Sequence, residues 1–196
     1  MISAHDFIIL VQNDLQDKSE HWKREALFAK LQGSYAELQA DLPFFVFNQI
    51  IDTTKDKEEY YLRHRPLQNV SCASDHVAFE FTEVENFYAL KKKNRYTFNE
   101  DVLLLRRAEK RDEIIEVTYK YAKALETLNC NVELPDRFHT ALRYLMMARL
   151  HEKPTLNSKQ RNLSAYYLKL YETEILKLKR DKPTRVKNIT SNFQRI

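Results

Sequence analysis

The side chains that could carry catalysis or hold a metal are few and widely spaced. Six histidines, His5, His21, His64, His76, His139 and His151, are scattered over 196 residues. No two sit four residues apart, so no helix face presents the paired imidazoles of a zinc hydrolase. Cys72 and Cys130 lie far apart with no CxxC, which gives neither a zinc site nor a disulfide scaffold. A reduced intracellular setting suits two isolated thiols. Glu80, Glu83 and Glu85 could form an acid pair. On an alternating strand Glu83 and Glu85 share a face and Glu80 takes the other, with no base nearby, so a solvated strand face is expected. No serine has recognisable triad partners. The chain has a single glycine, Gly33, where an average chain would have about 14. Phosphate-cradling loops, dinucleotide fingerprints and nucleophile elbows all need clustered glycines, so these enzyme classes are excluded. The sequence predicts no catalytic residue, no metal and no cofactor.

Basic residues form two concentrations. Lys91, Lys92, Lys93 and Arg95 lie between Phe87, Tyr88 and Tyr96, an interleaving compatible with single-stranded nucleic acid and equally with a polar loop between strands. The second is the C-terminus. The chain carries a net charge of +4, but its last twenty residues carry +6, leaving −2 on the preceding 176. Helical periodicity stops near Asp181, and Pro183 interrupts it. Residues 181–196 therefore read as an extended arm. Lys182, Arg185, Lys187 and Arg195, with the apolar Phe193 and Ile196, suit docking on an acidic or phosphate-bearing partner.

The elements that must position these residues can be read from periodicity. Ser3 as N-cap with Asp6 three residues on makes a capping box, flanked by Ile2 and Phe7 at the staple positions. Phe7, Ile8, Val11 and Leu15 give one apolar stripe. Asp17–Glu20 marks a turn. A second helix carries Leu27, Leu31, Ser34 or Tyr35, Leu38 and Leu42, and Pro43 ends it. Gly33 inside it reads as a tolerated helical glycine or a close helix contact. Residues 44–51, 77–82, 102–107 and 113–121 alternate or are rich in aromatic and β-branched residues, so they read as strands. The polar turn Ala108–Asp112 predicts that 102–107 and 113–121 form a hairpin. Helices return at Leu134–Pro135, with Phe138, Ala141, Leu142, Leu145 and Ala148 on one face. Pro154 ends that helix and Ser158 caps the next, which carries Leu163, Tyr167, Leu170, Tyr171, Ile175 and Leu178. The short connection makes the last two helices antiparallel neighbours.

The expected fold class is α+β, mainly α. It is an antiparallel bundle of N- and C-terminal helix pairs with a central β-strand insertion and an extended basic C-terminal arm. The expected divisions are 1–43, 44–131, 132–180 and 181–196. The apolar run after Asp6 spans five residues, too short for a signal peptide, and no run nears the ~18 needed to cross a bilayer. A soluble protein assembled inside a cell is the expectation.

In this order the elements resemble the head–tail connector proteins of tailed bacteriophages, also called adaptors or head-completion proteins, over roughly residues 1–180. Ser3-Ala4-His5-Asp6-Phe7-Ile8 through Asp14-Leu15-Gln16-Asp17, then Trp22 and the Leu27–Leu38 helix, looks like the family's opening. Val102–Arg107 followed by Ile114-Ile115-Glu116-Val117-Thr118-Tyr119 looks like its late hairpin. Val132-Glu133-Leu134-Pro135-Asp136 looks like its Leu-Pro step into the third helix. Ala141–Leu150 and Ala165-Tyr166-Tyr167 with its Leu-rich continuation look like its closing helix pair. The stretch 55–100 departs from the family in length and carries no recognised pattern.

The resemblance implies a non-catalytic structural protein of the virion neck, assembled in host cytoplasm. Copies would form a homo-oligomeric ring, usually twelvefold, beneath the portal protein. The ring would extend the DNA channel and carry tail or nozzle proteins. The arm residues Lys182 to Ile196 would reach the portal, and Lys91, Lys92, Lys93 and Arg95 are candidates for non-specific contact with packaged DNA or a partner. No membrane is involved. The alternative is a cytosolic nucleic-acid-binding helical protein that uses the basic arm.

Overall fold

The computed structural model describes residues 2–15, 22–89, 92–108, 111–152 and 158–180. The chain divides into two units, Met1–Glu133 and Leu134–Ile196.

The first unit opens as the capping box predicts. Ser3 stands extended at φ −70° and ψ 156°, and its Oγ accepts the Asp6 amide at 3.0 Å while donating to the Asp6 carboxylate at 2.6 Å. Helix α1 (Ala4–Asp14) follows, burying Ala4, Phe7, Ile8 and Val11. Its next two amides would be orphans at a free helix start. Here Ala4 donates to the Cys130 carbonyl at 2.9 Å and His5 to Leu128 at 3.0 Å. The dipeptide strand β1 (Ile2–Ser3) pairs antiparallel with Asn131–Val132, so residues 128–132 hold the N-terminus. Helix α2 (Arg24–Asp41) buries Leu27, Leu31, Ser34, Tyr35, Leu38 and Gln39. It stops at Leu42, whose φ −138° and ψ 79° are the non-helical backbone that Pro43 imposes. Gly33 is exposed on α2 and a Cβ there would meet nothing within 4 Å, so it marks no close contact.

Between α2 and the last residues of this unit the chain builds two facing sheets. The strands are β2 (Phe45–Thr53), β3 (Glu59–Tyr61), β4 (Pro66–Ser74), β5 (Glu80–Phe81), β6 (Arg95–Asn99), β7 (Val102–Arg106), β8 (Glu113–Tyr121) and β9 (Asn131–Val132). Helix α3 (Val84–Ala89) joins β5 to β6. One sheet runs β2-β8-β4, all antiparallel. The other runs β3-β7-β6-β5, with β5 and β6 parallel. Ile51, Cys72, Ile115, Val117 and Tyr119 from the first sheet pack with Tyr60, Tyr96, Leu103 and Leu105 from the second. This is a small sandwich with its own core.

The second unit begins at Leu134, and Pro135, at φ −57°, stands one residue ahead of a 3-10 turn, Asp136–Phe138. Helix α4 (His139–Leu150) buries Ala141, Leu142, Leu145 and Ala148, as the sequence predicts, with Met146, Met147 and Leu150. Helix α5 (Ser158–Arg180) lies beside it. Ser164 Oγ donates to the Ala148 carbonyl at 3.0 Å, and the Tyr144 and Tyr167 rings lie 6.5 Å apart. Later positions on α5 meet earlier positions on α4, so the two are antiparallel. Pro154 lies outside the described residues, as does the expected turn at Asp17–Glu20.

Three expectations are corrected. The chain is not a helix bundle with a strand insertion. Its described residues hold five helices and three sheets, with 29 % in strands, and the architecture is mixed α/β. The reason is the stretch 55–100, which supplies β3, β4 and β6 where only a strand at 77–82 was expected. In β4 the alternation is broken by register shifts between Pro66 and Gln68 and between Asn69 and Ser71, so period two never appears in the sequence. Second, 102–107 and 113–121 are not a hairpin. β7 pairs with β3 and β6, β8 pairs with β2 and β4, and the two belong to different sheets. Arg107 fastens this crossing. Its guanidinium is buried and donates to Thr53 Oγ1 at 3.0 Å, to Lys57 O at 3.3 Å, and to the carbonyls of Thr54 and Arg111. Third, the strand expected at 77–82 shrinks to Glu80–Phe81 and one bridge at Ala78. Glu85 then sits in the first turn of α3 rather than on one strand face with Glu83.

Candidate functional site

The residues singled out from sequence fall in separate places. Lys182, Arg185, Lys187, Phe193, Arg195 and Ile196 lie outside the described residues, and so does Lys91. Lys92 and Lys93 are exposed ahead of β6. Arg95 is not available beside them. It is buried, faces Glu80 across the β5–β6 pair, and donates to Glu80 Oε2 at 2.9 Å. Among the described residues, no group of three His, Cys, Asp or Glu could hold a metal ion. No helix there is long and apolar enough to cross a membrane.

A cavity of about 480 Å³ opens between α2 and the segment after β8, lined in part by Tyr35, His64, Tyr121, Lys123, Cys130 and Glu133. Two glutamines on one face of α2 hold the segment after β8 that forms one wall. Gln39 donates to the Lys123 carbonyl at 3.0 Å and accepts the Lys123 amide at 2.7 Å, while Gln32 donates to Leu125 O at 2.7 Å. The segment 123–125 is thereby held without secondary structure of its own. Three of the cavity's polar side chains have partners within the lining. Burial and the Glu133 charge raise the Tyr35 phenol above its ordinary value, and its hydroxyl donates to Glu133 O at 3.3 Å. Lys123 pairs with Glu133 at 2.5 Å, which holds its ammonium charged. Cys130 donates to Thr127 O at 2.8 Å. The other thiol, Cys72, is pushed up to about 12 by burial and then by Glu113, so it stays protonated.

At the rim of the cavity the connection from β3 to β4 presents Arg63, His64 and Arg65. The His64 ring stacks on Tyr121 with centroids 4.3 Å apart and meets Phe47 edge-on at 4.7 Å. The Arg63 guanidinium lies over Phe47 at 5.8 Å. The backbone of this loop is pinned to the sandwich: Arg63 N donates to Gln49 Oε1 at 2.9 Å, His64 N to the Tyr119 hydroxyl at 3.3 Å, and Gln49 Nε2 to Tyr61 O at 3.1 Å. Burial, then the Arg63 charge, lowers the His64 pKa, so the ring is neutral at pH 7. Sequence reasoning passed over this group. The signal was present as three consecutive basic-type residues between Tyr61 and Pro66, inside the stretch with no recognised pattern.

The outer face of β2-β8-β4 is a second surface of note. Val46 is 57 % exposed, Ile50 71 % and Ile114 60 %, beside Asn48, which donates to Glu116. A large apolar side chain on an exposed sheet face is ordinary singly, whereas three on two paired strands form a patch. The chain matches no protein-family model, and no curated protein is similar to it.

Proposed function

We propose that the chain is a structural virion protein, a head–tail adaptor. About twelve copies form a ring under the portal, extend the DNA channel and seat the tail or nozzle proteins. The observation that carries this reading is the order of sequence features: the capped opening helix, the Leu134-Pro135 step and the Leu-rich closing helix pair, each resembling the family's pattern. One feature of the molecule supports it. A ring needs lateral faces, and the exposed Val46, Ile50 and Ile114 offer an apolar one. In this reading the basic arm, with Phe193 and Ile196, reaches the portal.

Electron microscopy of the native complex, captured from its source through a tag on this chain, tests the proposal. The expected image is a many-copy ring stacked on a portal ring. A single copy carrying nucleic acid and no capsid or tail protein overturns it in favour of a nucleic-acid-binding protein.

A further inference from the structure

We infer that the Arg63-His64-Arg65 loop is a contact for a nucleic-acid phosphate backbone, read without regard to sequence. The inference rests on the adaptor reading for where the nucleic acid lies, but not for the chemistry of the contact. The sandwich arginines divide into two sets. Arg95 is bound to Glu80, Arg106 donates to Phe87 O at 2.9 Å, Arg107 is buried among carbonyls, and Arg111 stands 3.8 Å from Glu113. Arg63 and Arg65 are exposed and, among the described residues, neither side chain has a hydrogen bond or ion pair.

Unpaired surface arginines are common on mobile loops. These two are on a loop whose backbone is fixed at both Arg63 and His64 by side chains of β2 and β8. The charge is therefore presented at a defined place, and little ordering entropy is lost when it meets a partner. The aromatic rings are already occupied with one another, His64 on Tyr121 and Phe47 edge-on to His64. Phe47 also carries the Arg63 guanidinium over its ring, so these rings do not offer free faces for stacked bases. With His64 neutral, the contact has two fixed positive charges and no acidic counterpart within ion-pair distance. An acidic protein surface would be met by interleaved charges of both signs that set register. Two arginines that no carboxylate pairs fit a uniform polyanion, and phosphate contacts position a duplex without reading it.

The test is fluorescence anisotropy of the full chain with a labelled mixed-sequence DNA duplex, from low salt upward. R63A/R65A is compared with wild type and with K92A/K93A, after thermal melting shows that each is folded. The double arginine variant is expected to bind several-fold more weakly at low salt. Its log–log salt slope should be shallower by about two, the loss of two phosphate contacts. An unchanged slope in R63A/R65A, a slope moved by K92A/K93A instead, or no duplex binding at low salt each overturns the inference. Tighter binding to labelled poly-glutamate than to the duplex, lost in the same variant, assigns the loop to an acidic protein and also overturns it. Ring assembly of R63A/R65A, viewed by microscopy, is read separately. A ring that forms without a change in duplex binding sinks this inference and leaves the adaptor reading standing.

Discussion

Two backbone positions can be improved. Asn94 and Glu100 adopt positive φ, 57° and 56°, where a side chain costs about 1 kcal/mol and glycine costs none. Asn94 offsets that by accepting the Ala108 amide at 2.8 Å, while Glu100 makes no such bond. Glu100→Gly is therefore expected to stabilise by about 1 kcal/mol. Gly33→Ala on the exposed face of α2 should do so by about the same amount. Chemical denaturation of each variant measures both. Titration gives a second expectation. His64 and His151 are held below their ordinary value of 6.5, in both cases chiefly by burial. The unfolded chain then binds more protons below that pH, so stability is complete above pH 6.5 and falls as pH drops through 6.5 towards the folded values. Melting scans between pH 8 and 5 should show this decline, and it should flatten in the variant His64→Phe/His151→Phe. A decline of equal size in that variant means that other groups carry it. These residue-scale features were illegible in the sequence. A positive φ at glutamate carries no composition signal, and the burial of His64 and His151 comes from tertiary contacts with Phe47, Tyr121 and Tyr167, distant in sequence.

Among the elements, legibility followed the regularity of the local pattern. Helix α1 could be read to its cap because Ser3, Asp6, Ile2 and Phe7 act within one turn. The buried face of α4 could be read because nothing interrupts its spacing. β2 and β8 alternate cleanly over nine residues each. β4 has the same length, but its two register shifts leave Leu67 and Val70 exposed and scramble the period. Pairing was less legible than existence. A polar turn between two apolar runs is what a hairpin and a crossing between sheets both look like, and the deciding contact is Arg107 reaching Thr53, Thr54 and Lys57. Gln39 is a further case. It reads as a polar residue on a helix, yet it is fully buried and serves both backbone groups of Lys123. Gln39→Leu would leave those groups without partners and should destabilise by about 2–3 kcal/mol. A loss below about 0.5 kcal/mol in urea denaturation would mean that water replaces the amide without cost.

For the whole molecule, the balance of helix and strand was misjudged because a sandwich core is assembled from residues far apart in sequence. Ile51, Tyr60, Cys72, Tyr96, Leu103 and Tyr119 meet in one cluster, and no window of sequence contains them. The candidate loop at Arg63–Arg65 was missed for the same reason, since its anchors Gln49 and Tyr119 lie on β2 and β8. The proposed division of labour between body and arm is open to direct trial. Removing 181–196 is expected to leave the melting temperature of the body within about 1 °C of the full chain, since the clustered side chains of the sandwich core and the buried side chains of α4 all come from residues 51–150. Attachment to the portal, followed by co-sedimentation, should fall at least tenfold. A melting temperature that drops by several degrees would instead make the arm part of the fold.

The central strand of the three-stranded sheet is also the last of its three to be synthesised. β2 and β4 leave the ribosome with no partner, because each pairs with β8 and not with the other. Until residue 121 emerges, Phe44-Phe45-Val46-Phe47 remains a bare apolar ribbon. Nascent chains stalled before residue 113 should therefore be held by chaperones or aggregate, while those stalled well past 133 should resist protease over the sandwich. Translation of this protein has a long vulnerable interval, and it closes abruptly with a single strand.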